Sequence, residues 1–178
     1  MKKSNRNAGT KSVAPLKDLG ESSKIQIGIS SKNSLEVANR LQILLADEQI
    51  IYAKTRNYHW NLEGRDFMEM HLLFERLYTE IAETIDSIAE RIRKIGHYSQ
   101  GRLEDFLKQT NLLEGEYTND IQTQIQNLLD DHETVIRYLR NDISDFDDKF
   151  KDAGSADFIT GVLKQHEEWA WFLRSYLI

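Results

Sequence analysis

The chain has 178 residues, 40 % of them hydrophobic, with 23 basic and 29 acidic side chains for a net charge of −6. That length and apolar content fit one domain with its own core, and no apolar run approaches the roughly 20 residues of a membrane span. With no cysteine and five histidines, disulfides, thiolate catalysis and thiolate metal sites are excluded, which leaves imidazole and carboxylate as metal ligands.

Residues 1–32 hold seven Lys or Arg against two acidic residues, a net +5 that leaves −11 for the remainder. This stretch is rich in Ser, Asn and Gly, has little to bury, and reads as a flexible basic arm. It lacks the apolar core of a secretory signal, so a cytoplasmic location is expected. Val37, Leu41, Leu44, Leu45 and Ile51 then follow helical spacing. Asn33 or Ser34 is the expected N-cap, and the helix is expected to end near Asn61. Gly64 breaks the pattern and Asp66 can cap a second helix, whose stripe of Phe67, Phe74, Leu77, Tyr78, Ile81, Ile85, Ile88, Ile92 and Ile95 ends at Gly96. A short amphipathic helix is expected around Arg102 to Gln109. Ile121, Ile125, Leu128, Leu129, Val135, Ile136, Leu139 and Ile143 mark a third long helix. Ser155 can cap a fourth, carrying Phe158, Ile159, Val162, Leu163, Trp169, Leu173 and Leu177. The fold class is therefore all-α: residues 33–178 form one four-helix bundle of ferritin-like connectivity, with a short extra helix in the long crossover between helices 2 and 3.

His59, His71, Glu75, Asp86 and Glu90 stand out as metal-binding side chains. On one helix, a step of about 100° per residue places His71, Glu75, Asp86 and Glu90 within roughly a 100° arc. Yet Glu75 and Asp86 are eleven residues apart, some 16 Å along the axis at about 1.5 Å per residue. Ligand bonds of roughly 2 Å cannot span that distance, so the face carries two half-sites. An antiparallel second copy would bring the Asp86 and Glu90 half of one subunit to the His59, His71 and Glu75 half of its neighbour. The chain has no Glu-x-x-His motif, which leaves a di-iron centre inside a single bundle without support. His97, His132 and His166 have no comparable partner set and are read as structural or solvated.

The segment Asn57-Tyr58-His59-Trp60-Asn61, followed by Gly64, Phe67, His71, Phe74 and Tyr78, then Asp86-Ser87-Ile88-Ala89-Glu90-Arg91, resembles the Dps miniferritins, DNA-binding proteins from starved cells. The ending His166 to Arg174 also looks like that family's last helix. The resemblance implies a hollow homododecamer with ferroxidase centres at twofold interfaces. His59, His71 and Glu75 would come from one subunit and Asp86 and Glu90 from its partner, holding Fe(II) that becomes Fe(III). Hydrogen peroxide is the oxidant it implies, and ferric mineral the stored product. The family commonly has Asp where this chain has Glu75, a departure that bears on the second iron position. The ligand set alone also suits Zn, Mn or Co.

The same resemblance gives Trp60 a role beside the centre. It places the acidic cluster of Asp145, Asp147, Asp148, Asp152 and Asp157 at threefold pores, where carboxylates concentrate cations. Lys2, Lys3, Arg6 and Lys11 are the candidate DNA contacts, acting through phosphate without reading bases. The competing reading is a non-enzymatic, DNA-compacting cage in which metal is only structural.

Overall fold

The structure, a computed structural model, describes residues 25–177. Within them the chain forms five helices: α1 (Ser31–Asn61), α2 (Phe67–Lys94), α3 (Leu103–Gln109), α4 (Ile121–Ser144) and α5 (Ala153–Ser175). The four long ones make the bundle. α1 packs along α2 and α4 along α5, while the short α3 lies in the crossover against α1.

Apolar periodicity accounts for the core. Met70, Phe74, Leu77, Ile81, Ile88 and Ile92 line the inner face of α2, and Ile125, Leu128, Val135 and Leu139 that of α4, all buried. Such stripes at helical spacing remove apolar surface from water along the whole helix, which supplies most of a bundle's stability.

The crossover is fastened by polar residues of α1 set among its apolar ones. Gln42 Nε2 donates to the carbonyl of Gln100, whose N–H donates back to Gln42 Oε1. The buried Asp47 carboxylate accepts from Thr110 Oγ1, Asn111 N–H and Asn111 Nδ2. Lys54 Nζ donates to the Leu113 carbonyl at 2.8 Å and to Asp131 at 2.5 Å. A long connection without a sheet to hold it is thus tied to α1 through several of its polar groups.

Three boundaries differ from the sequence reading. α1 begins earlier than expected, because Ser30 is its N-cap and accepts from the Asn33 N–H. α4 does not stop near Ile143 but runs into a π-helical turn, Asp145–Lys149, closed by the Phe150 N–H to the Asp145 carbonyl. Lys151, at φ 59°, then reverses the chain. Asp152 rather than Ser155 caps α5, with its carboxylate accepting the Ser155 N–H. Asp66 does precede α2, but its side chain makes no capping bond.

Gly96 ends α2 at φ +99°, and a Cβ there would lie 2.9 Å from Ile25 Cδ1. Gly96→Ala combines an unfavourable backbone with a clash, and is expected to destabilise the fold by about 1–2 kcal/mol. A lower urea midpoint at unchanged slope would register it.

Candidate metal centre

The connection between α1 and α2 is short, residues 62–66, and turns at Gly64 with φ +128°. It sets the last turn of α1 against the start of α2, bringing His59 and His71 face to face. Their rings stack with centroids 3.8 Å apart and planes 17° from parallel. Phe67 stacks on His71, and the edge of Tyr78 packs against His59.

Each imidazole is bonded to the other's backbone. His59 Nδ1 lies 2.9 Å from the His71 carbonyl, and His71 Nδ1 lies 3.0 Å from the His59 carbonyl. A carbonyl only accepts, so both Nδ1 atoms carry the hydrogen and both rings keep a lone pair on Nε2. That is the tautomer a metal ligand needs, with the ring's orientation held from behind.

Glu75 lies one turn beyond His71 on α2 and is exposed. Asp86 and Glu90 are exposed farther along the same helix. Lys94 Nζ donates to Glu90 at 2.8 Å, and this bond and charge hold the Glu90 carboxyl below the usual range. Among the described residues, no group of three or more His, Asp or Glu side chains converges within one chain to hold a metal ion. His59 closes α1, and on α2 the pair His71 and Glu75 stands apart from Asp86 and Glu90.

Beside the histidine pair, the Arg56 guanidinium lies over the rings of Tyr52, Trp60 and Tyr78, 5.0 to 5.5 Å from their centroids, and donates to Tyr52 Oη. Trp60 itself is 62 % exposed. Tyr52, Arg56, Trp60 and Tyr117 border a groove of about 510 Å³.

The acidic cluster divides. Asp145 pairs with Arg40 at 2.6 Å, Asp148 accepts weakly from Ser144 Oγ, and Asp147 and Asp157 face solvent. Asp152 does not belong with them. Only 3 % exposed, it accepts from Ser155 N–H, Ser155 Oγ and Arg91 Nη2, so its charge is spent on capping α5 and tying it to α2. Its place in the pore reading is therefore withdrawn. Lys2, Lys3, Arg6 and Lys11 lie outside the described residues.

The remaining histidines are buried, not solvated. His97 bonds Ser34 Oγ, while His132 and His166 contact each other and Glu48 in the core. Sequence reasoning gave Glu48 no role. The signal was its place between Leu44, Leu45 and Ile51, a core position by helical spacing.

Residues 38–178 match the ferritin-like domain. The chain is 40 % identical over 157 residues to an uncharacterized low temperature-induced protein of Nostoc, covering 86 % of this chain and 87 % of that one. It is 30 % identical to DNA protection during starvation protein 2 of Bacillus anthracis, over 83 % of this chain and 98 % of the relative. Among solved structures, it is similar to a Dps protein of Vibrio cholerae, described as a member of a superfamily of ferritin-like diiron-carboxylate proteins. The TM-score there is 0.82 at 29 % identity, over 86 % of this chain and 96 % of that one. Streptomyces coelicolor DpsC gives a TM-score of 0.85 at 25 % identity, covering 89 % and 93 %.

Proposed function

Since this chain belongs to the ferritin-like family and, within it, to the Dps proteins, we propose that it is an iron-sequestering ferroxidase. It acts as a homododecameric cage in the cytoplasm and protects DNA from iron-driven oxidation. The observation that carries this reading is the reciprocal bonding of His59 and His71, which leaves a lone pair on each Nε2, with Glu75 one helical turn beyond His71 on α2. Fe(II) is the substrate, held between this half-site and Asp86 and Glu90 of a second copy. Neutral imidazole suits the ferrous ion, and carboxylate offsets the added charge when it becomes ferric.

Hydrogen peroxide is the proposed oxidant. It accepts one electron from each of two Fe(II) ions and, with two protons, leaves as two waters. The Fe(III) passes inward to a ferric mineral. Asp145, Asp148 and Asp157 are the acids proposed to draw cations to threefold pores. Anaerobic loading with Fe(II), followed by peroxide or air in parallel, tests the reading through the rate of ferric absorbance. Oxidation no faster than in protein-free buffer would refute it, and so would a particle that elutes as a 20.8 kDa monomer.

The basic arm, with Lys2, Lys3, Arg6 and Lys11, is proposed to bind DNA phosphates without sequence preference. Twelve weak arms on one particle gain strength through effective concentration. Deleting residues 1–24 is expected to leave ferroxidation intact and to abolish the salt-sensitive gel shift of duplex DNA. A full-length protein that shifts DNA but oxidises Fe(II) no faster than buffer would favour the DNA-compacting alternative.

A further inference from the structure

Three titratable side chains meet at the centre of the bundle, apart from the metal half-sites. Glu48 projects from α1, His132 from α4 and His166 from α5, each fully buried. Glu48 Oε1 lies 2.6 Å from His166 Nε2, and His166 Nδ1 lies 2.9 Å from His132 Nδ1. Trp169 packs against both imidazoles, with centroids 5.0 and 5.5 Å away, and its Nε1 donates to Glu80 on α2. The cluster therefore joins all four long helices.

The contacts restrict where hydrogens can sit. A nitrogen-to-nitrogen bond needs one donor and one acceptor, so only one of the two Nδ1 atoms carries a hydrogen. His132 Nε2 and Glu48 Oε2 have no protein partner. A proton that makes His132 an imidazolium therefore leaves it with an unmet N–H, a buried charge, or a broken bond to His166.

Other charged groups nearby offer little relief. On α1, Lys54 adds positive charge and is paired with Asp131 of α4; Asp47 is bonded to the crossover. On α2, Glu80 is engaged by Trp169 and Arg76. On α5, Glu167 and Glu168 pair outward with Arg140 and Arg76. Burial first, then His166 and Lys54, push His132 well below its ordinary 6.5.

We propose that the Glu48–His166–His132 chain is an acid-sensitive lock, which holds α1, α4 and α5 together near neutrality and releases them on acidification. Below pH 6.5 the unfolded chain binds a proton on residue 132 that the folded chain refuses. The stabilisation is thus whole above that pH and is lost as pH falls, at about tenfold in the unfolding equilibrium per pH unit. Burial raises the carboxyls of Asp47 and Asp131 from their ordinary 3.8, which acts in the opposite direction, but equally in wild type and in a variant at His132.

Urea unfolding of the full-length protein between about pH 8 and about pH 5 tests the lock. His132→Gln fills much of the same space, can bond His166 and does not titrate. It is expected to lose about one tenfold factor per pH unit from the slope below pH 6.5. A slope equal to wild type overturns the proposal. A second measurement keeps His132 and needs only the exposed tryptophans removed. With Trp60→Phe and Trp171→Phe, Trp169 emission should stay constant on acidification until intensity and wavelength change together as the bundle opens. Quenching near pH 6.5 at unchanged wavelength would mean that an imidazole charges inside the closed bundle, which also overturns it.

Discussion

Asp86→Ala is expected to lower peroxide-driven ferroxidation by on the order of 100-fold, while the protein still elutes as the assembled particle. Removing even an outer partner of a metal ligand costs 10- to 100-fold in many sites, and removal of a direct ligand should cost at least as much. Asp86 is exposed and makes no hydrogen bond or ion pair with another described residue, so its loss should leave the fold alone. A mixing experiment sharpens the result. Cages reassembled from equal amounts of His59→Ala and Asp86→Ala subunits, each inactive alone, should recover about a quarter of wild-type activity. In a twofold contact each site draws one half from each copy, and both halves are intact in about one pairing of four. No recovery on mixing would mean that the ligands do not meet across subunits.

The largest stability effect is expected at Asp152. Asp152→Ala removes the side-chain cap of α5 and leaves Arg91 Nη2 and Ser155 Oγ without their carboxylate acceptor, while Ser155 N–H keeps only the residue-152 carbonyl. Breaking one partner of a buried ion pair costs about 3–5 kcal/mol, here with the cap included. Urea denaturation should show it directly. Asp148→Ala and Asp157→Ala, at exposed positions, should leave the urea midpoint nearly unchanged and slow iron uptake instead. A mild Asp152→Ala would refute the structural account of that residue.

Sequence and structure agree where one physical signal dominates. Gly64 and Gly96 mark the turns because each adopts positive φ, and the α2 stripe from Phe74 to Ile92 is unambiguous at helical spacing. The start of α1 was less legible. Ser30, Asn33 and Ser34 are all capping types, and only the backbone geometry chooses Ser30. The acidic run after Ile143 reads as a turn by composition, yet Phe146 and Phe150 are buried and keep the chain helical through a wider coil. The proposed ligand positions on α2 come from spacing alone, whereas the reciprocal carbonyl bonds of His59 and His71 depend on how a five-residue turn closes. The core chain of Glu48, His132 and His166 escaped notice because polar residues at apolar positions on three separate helices declare themselves only when the helices are packed.

The two carbonyl bonds make the turn itself a component of the histidine half-site. Neither imidazole is oriented until α1 and α2 have closed on each other, since each ring is held by main chain from the opposite helix. A ligand that needs both rings consequently selects the closed hairpin and stabilises it by mass action. An emerging chain would then gain the orientation of both imidazoles and the register of its first two helices in a single event. A one-residue insertion at Gly64 would break both.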